Sequence, residues 1–314
     1  MTLLGDFADI FFILLTVGRC RLSVRSRPYN LNQSANSRKT QIDVKSNTVR
    51  QTLANYFSHK LPSGGLNWHI RAFLFNKQWE VLKHSVSKQL ADWKVSNQTL
   101  LLLGPSAGWT LPKHFLNRFS QIEVMDLDPL AKRLFCKNHP ALKHKLQWQQ
   151  TDYLQHLPQW LGDPKNANTP LLFCNTLGQR GLHTESVEQT LADIANLQQW
   201  LRHHSWGSYH DRLSLQLPVR CNRYSIVKEL CNRVSAVQQT GTLPTEQLLS
   251  LLKLHELQGI NGLPLEVTDH CTETLLPASA PRSYSVWPLS PRKIHIVEMG
   301  FSNVKTPTNL LHWE

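Results

Sequence analysis

The chain has no C-x-x-C pair, no Cys/His grouping at metal-ligand spacing, no internal repeat and no low-complexity tract. The first two absences leave no basis for a zinc-ribbon or zinc-finger framework, and no metal is expected. The last two exclude solenoids and repeat arrays. Six cysteines (Cys20, Cys136, Cys174, Cys221, Cys231 and Cys271) are dispersed, as buried thiols in a reducing, cytoplasmic setting would be. His203–His204 is the one adjacent histidine pair and reads as a solvated helix end. A run of about 20 apolar residues, the length that spans a bilayer, is also missing. The apolar stretch from Ile10 to Val17 is preceded by Asp6 and Asp9 and followed by arginines, the reverse of a secretory signal. It reads as an over-extended translation start or a short membrane-surface contact.

Acidic residues are scarce: 22 Asp and Glu face 34 Lys and Arg, for a net charge of +12. The excess is not uniform. Residues 1–60 hold nine Lys/Arg against three Asp, half the net charge in less than a fifth of the chain. A solvated, disordered tail explains such a leader better than an RNA or anionic-membrane contact does. The stretch from Ser26 to Asn47, rich in Ser, Asn, Gln and Arg without periodicity, fits that reading. The 314 residues, 41% of them hydrophobic, suffice for one large α/β domain with extensions or for two small ones.

The most specific stretch begins at Leu100–Leu101–Leu102–Leu103 and continues through Gly104–Pro105–Ser106–Ala107–Gly108–Trp109. Four consecutive leucines match a parallel strand covered on both faces. Gly104 permits a sharp turn, and Gly108 leaves room for a ligand or for close helix packing. Leu111, Phe115 and Phe119 then recur at four-residue spacing, with Pro112 in the first turn of the expected helix. Ile122–Asp126 reads as a second strand ending in a carboxylate, and Asp128–Pro129 as the N-cap and first residue of the next helix. Together these form the first βαβ unit of a nucleotide-binding α/β domain. A dinucleotide fold would want glycine at positions 106 and 109, where Ser106 and Trp109 stand.

The pattern Gly104–Ala107–Gly108 with Asp126 resembles the class I (Rossmann-like) S-adenosylmethionine-dependent methyltransferases. The resemblance covers roughly residues 95 to 300 and implies S-adenosyl-L-methionine as cofactor. It places Gly104, Pro105, Ser106, Ala107 and Gly108 around the methionine part and Asp126, with Leu127, at the ribose. Asp152, with Tyr153, follows a third strand at Leu146–Gln150 and stands where the family faces the adenine amino group. Asn175 ends a fourth strand from Pro170 and borders the transferred methyl. Three departures stand beside this: Leu102 replaces a common acid, Ser106 replaces the middle loop glycine, and no Asn-Pro-Pro-Tyr signature follows the fourth strand. The first two support an alternative, a non-catalytic Rossmann-like module that binds a nucleotide or a partner.

Elsewhere a helix is expected from Asn67 to Trp93, with Ile70, Phe73, Leu74, Val81, Leu82, Val86, Leu90 and Trp93 on its apolar face. A second amphipathic helix over Glu185–His204 turns Val187, Leu191, Ile194 and Leu201 inward. Tyr209–His210–Asp211–Arg212 precedes a strand at Leu213–Leu217 and is the densest chemically capable cluster. A neutral His can take a proton and a carboxylate can orient it, so His210 and Asp211 join Asn175 as catalytic candidates. A surface turn with ordinary hydrogen bonds is the plainer reading. Helices are expected over Tyr224–Gln238 and Thr245–Leu257, final strands at Leu265–Asp269 and Lys293–Glu298, and a loop over Pro277–Ser290. Asp269–His270 is a secondary candidate for the cleft.

The expected architecture is therefore a Rossmann-like, doubly wound and mostly parallel sheet with an antiparallel last strand. Residues 1–60 form a basic leader, 61–95 an N-terminal helical extension, and 96–314 the main domain with a helical insertion near 222–258. The expected activity is methyl transfer from S-adenosylmethionine to an acceptor, a small molecule rather than RNA.

Overall fold

The computed structural model describes residues 65–95, 97–178, 186–218, 221–254, 256–257 and 265–303. The basic leader and its apolar stretch lie outside these residues. Five strands run parallel: β1 (Thr99–Leu103), β2 (Gln121–Asp126), β3 (Leu146–Gln150), β4 (Leu171–Cys174) and β5 (Trp206–Gln216). Beyond β5 the sheet becomes antiparallel through β9 (Lys293–Ser302), β8 (Pro281–Ser290) and β6 (Gln238–Thr240). The spatial order is β3-β2-β1-β4-β5-β9-β8-β6, and β7 (Glu266–Asp269) pairs the far end of β5. This is a Rossmann-like α/β sheet with an antiparallel C-terminal hairpin. Its order reverses between β1 and β4, which opens a crevice beyond their carboxyl ends.

Eight α-helices are described: α1 (Gly65–Phe75), α2 (Glu80–Asp92), α3 (Lys113–Leu116), α4 (Ala131–Asn138), α5 (Tyr153–Gly162), α6 (Val187–Leu201), α7 (Arg223–Ser235) and α8 (Thr245–Leu251). The leucine run of β1 divides between both faces, as an apolar strand in a covered sheet must. Leu100 and Leu102 pack with Leu82, Val86, Leu90 and Phe115. Leu101 and Leu103 pack with Leu157, Ile194 and Leu197 on the other side. A third cluster joins the far end of β5 to α7, α8 and the C-terminal hairpin. No helix among the described residues is long and apolar enough to cross a membrane.

Several expectations are corrected. The single helix over 67–93 is two helices joined by a 3₁₀ turn at Asn76–Trp79. That tighter turn rotates the second helix, so Trp79, Leu82, Val86 and Leu90 face the core while Leu74 and Val81 end exposed. The helix after Gly108 is one turn, α3, with Pro112 just before it; Leu111, Phe115 and Phe119 are buried nonetheless. Likewise Asp128 does not cap α4 directly: its carboxylate accepts Leu130 N–H in a turn, and the helix begins at Ala131. Finally, Pro277–Ser290 is not a loop, because β8 fills ten of its residues. Pro281 opens that strand and Pro288 sits at its register shift, the two places where a strand tolerates a missing N–H. In α6, Leu191 faces solvent, and Ile194, Leu197 and Leu201 face the core. His203 is exposed as expected, whereas His204 is buried.

Candidate functional site

The crevice begins with the turn after β1. Gly104 and Ser106 both have positive φ, +61° and +52°. Glycine is required at 104 by space as well, since a Cβ there would run into the Thr176 Cγ2 methyl. Gly108 (φ +67°) serves the second of its two expected purposes: a Cβ would meet Phe135 and His139 of the α4 region at 2.7–2.9 Å. Ala107 is fully buried, and its carbonyl accepts Asn138 Nδ2 at 2.8 Å. Of the five loop residues expected at the cofactor, Gly104, Pro105 and Ser106 line the cleft; Ala107 and Gly108 support it from behind.

Asp126 ends β2 beside that turn. Its Oδ2 accepts Ser106 N–H at 2.7 Å and its Oδ1 accepts Asp128 N–H at 2.8 Å. Burial pushes its carboxyl up to about 6, and the two backbone donors offset only part of that rise. The extension closes over the same corner: Trp68 Nε1 donates to Ser106 Oγ at 3.1 Å, and His69 Nε2 lies 2.8 Å from Asp128 Oδ2. Leu127 and Asp128 also line the cleft.

One wall comes from the exit of β3. Asp152 caps α5 by accepting Leu154 N–H at 3.0 Å, and Thr151, Tyr153 and Leu154 stand beside it. The exit of β4 contributes Cys174, Asn175 and Thr176. Asn175 adopts φ +57°; its N–H donates to Tyr209 O at 2.8 Å and its Nδ2 lies 3.5 Å from Asp211 Oδ2. Its Oδ1 is buried with no hydrogen-bond partner among the described residues. Opposite stand three tryptophans, Trp68, Trp79 and Trp287, with ring centroids 5.0–5.6 Å apart. Tyr209 shares its hydroxyl with Thr110 Oγ1 at 2.8 Å.

The cleft has a volume of about 320 Å³, the size of a small-ligand site. Among the described residues its lining carries four carboxylates (Asp126, Asp128, Asp152 and Asp193) and no Lys, Arg or His. The net positive charge of the chain is therefore not expressed here. Burial pushes both the Cys174 thiol and the Tyr209 phenol well up, so neither ionises near neutral pH.

The cluster at 209–212 is not a surface turn. It lies in the middle of β5, buried throughout, and strand alternation divides it. Tyr209 reaches the cleft. His210 is fully buried, with Nδ1 2.9 Å from Ser208 Oγ and Nε2 3.3 Å from Glu298 Oε2. It does not line the cleft, which corrects its candidacy as a base for the acceptor. Arg212 is buried against Asp269 (2.7 Å) and Glu273 (3.2 Å). Asp211 touches the site only through Asn175 and lies 2.8 Å from His295 Nδ1. Burial would raise its carboxyl, but the charges of His295 and His270 and the amide of Asn175 outweigh it and hold the group below its usual range. His270, the secondary candidate, is likewise buried outside the cleft lining.

Sequence reasoning left Trp68, Trp79, Thr110 and Trp287 out of the site. No local spacing links them, because they converge from the extension, the first loop and β8. The division within 209–212, by contrast, was readable from strand alternation once the whole segment is taken as a strand.

No family model matches the sequence, and no curated protein matches it. Solved structures do. The chain is similar to the Synechocystis magnesium protoporphyrin IX methyltransferase ChlM with bound SAM, at 9% identity and a TM-score of 0.34 over 72% of this chain and 80% of that one. It is similar to a SAM-dependent methyltransferase from Anabaena variabilis, at 15% identity and a TM-score of 0.35 over 74% and 92% of the two chains. It is also similar to the N-methyltransferase NodS from Bradyrhizobium japonicum in complex with S-adenosylhomocysteine, at 13% identity and 0.32 over 73% and 86%.

Proposed function

We propose that the cleft binds S-adenosyl-L-methionine and that the chain transfers its methyl group to a small acceptor. The observation that carries this reading is Asp126: a buried carboxylate at the end of β2, tied at 2.7 Å to the turn after β1. Each of its oxygens keeps a lone pair for a ribose hydroxyl after accepting one backbone N–H. The donor set fits the rest of the cofactor. Asp152 offers an acceptor for an exocyclic amine, the orphaned Asn175 Oδ1 offers one for an ammonium, and a lining with carboxylates and no cation suits a positively charged ligand.

When bound, the cofactor supplies an electrophilic methyl on a sulfonium centre. The protein's part is to hold the acceptor in line, and positioning alone accounts for much of such a rate enhancement. Asn175, at the carboxyl end of β4, borders that point, with Asp211 orienting its amide from behind. The three tryptophans form an apolar wall of the cleft, with Trp68 its partly exposed member and Trp79 and Trp287 buried. Because Cys174 and Tyr209 stay protonated, the acceptor itself must be a nucleophile without prior ionisation by either.

That last feature also supports a second reading, a binding module without turnover. One experiment separates them. Titration calorimetry of the full chain with S-adenosylmethionine, S-adenosylhomocysteine and NAD tests the cofactor: saturating micromolar binding of the first two raises folding stability by about 3 kcal/mol at a hundredfold excess over Kd. Preference for NAD overturns the proposal. Release of S-adenosylhomocysteine in the presence of cell-extract small molecules distinguishes transfer from binding.

A further inference from the structure

We infer a transition-metal site, outside the cleft lining, formed by Asp211 of β5, His270 just after β7 and His295 of β9. Each offers one ligand atom, and these three atoms lie within 4.8 Å of one another. Three atoms this close all lie within about 2.8 Å of one common point, against 2.0–2.2 Å for zinc bonded to imidazole nitrogen or carboxylate oxygen, so the closing movement needed is at most about 0.8 Å. All three residues are buried, and Asp211 Oδ1 has no hydrogen-bond partner among the described residues.

The contact between Asp211 and His295 carries the argument further. Oδ2 and Nδ1 are 2.8 Å apart, so both donor atoms already face the same small space. Two ligand atoms bound at about 2.1 Å to one tetrahedral ion stand roughly 3.4 Å apart, so a metal here would replace the direct Asp211–His295 contact and open it by about 0.6 Å. His270 is set up in the same sense: its Nδ1 contacts the carbonyl of Gly178 at 2.6 Å, a bond that fixes the tautomer and leaves Nε2 with its lone pair. Ser214 Oγ lies 2.7 Å from that Nε2 and 3.5 Å from His295 Nε2. A β-bulge between Asp211 and Leu213 brings Asp211 and Ser214 to the same side of β5, both against His295. Two imidazoles and one carboxylate select Zn²⁺ or a neighbouring first-row ion over Mg²⁺ or Ca²⁺, which want oxygen alone.

The test uses the full chain, stripped with EDTA and dialysed, with no nucleoside present. Titration with Co²⁺ should produce visible d–d absorption saturating at one equivalent, and Zn²⁺ should displace it and raise the Tm. His270→Gln and His295→Gln should each weaken Co²⁺ binding by at least roughly tenfold, while Ser214→Ala, which keeps all three ligands, binds as well or better. If the histidine variants do not fold, the stoichiometry of the parent and of S214A decides. Absence of d–d absorption with a Tm indifferent to Zn²⁺ overturns the inference and leaves a buried ion pair. Undiminished binding in folded H270Q and H295Q overturns it as well.

Discussion

Replacing Asp126 by Asn tests the centre of the functional reading, because this residue couples the cleft to the fold. The native carboxyl sits at about 6, raised from 3.8 by burial. An acid whose folded pKa lies above its unfolded value binds extra protons when folded, so its contribution to stability is greatest at low pH. That contribution is lost as pH rises from about 4 to about 6 and is constant above. At 1.36 kcal/mol per unit the loss is about 3 kcal/mol. The difference in unfolding free energy between the parent and D126N, from urea melts at pH 4 to 7.5, should fall by about that amount across the window. Cofactor binding has the opposite trend. Ribose hydroxyls donate to the ionised form, so the affinity of the parent for S-adenosylmethionine should weaken roughly tenfold per unit below pH 6 and level off above it. At pH 8, D126N should lose about 1–3 kcal/mol of binding free energy by calorimetry. A folded D126N that binds S-adenosylmethionine as tightly as the parent, with no pH dependence near 6 in either, would refute the role of this residue.

Further outcomes are expected elsewhere. Gly104→Ala forces a Cβ into the Thr176 methyl at a positive φ and should cost about 1–3 kcal/mol in a thermal melt; adding Thr176→Ser, which removes that methyl, should return part of the loss. Glu298→Ala leaves Arg282 (2.7 Å away) buried without its partner and should cost about 3–5 kcal/mol in urea, with loss of cooperative unfolding as the extreme outcome. Cys174, protonated by burial, should resist iodoacetamide at pH 8 in the folded chain and react once urea unfolds it; rapid labelling in the native state would contradict its placement.

Much of the fold was local enough to read. The leucine run of β1, the glycine turn and the carboxylate ending β2 lie within 30 residues of one another, and each follows from strand burial, backbone freedom or the spacing of a βαβ unit. For the same reason Asp126, Asp152 and Asn175 were legible: each sits where a parallel strand ends, and such ends meet at one edge of the sheet. The elements that were misread are those whose conformation depends on distant partners. Pro281–Ser290 carries serines and two prolines that describe a loop in isolation, yet pairing with β9 and β6 makes it a strand. The break at Asn76–Trp79 follows from where Trp79 must reach, a carbonyl at Leu289.

The sequence alone therefore determined the parallel half of the sheet and the residues at its carboxyl edge, since periodicity and turn chemistry act over a few residues. Only tertiary structure decided what His210 and Asp211 meet on the two sides of β5, Glu298 for the one and His295 for the other. A single bulge in β5 resets the alternation of side chains, and antiparallel pairing brings residues 211, 270 and 295 within reach of one another. No pattern along the chain encodes that meeting, because register between strands this far apart is chosen by the packing of the whole sheet.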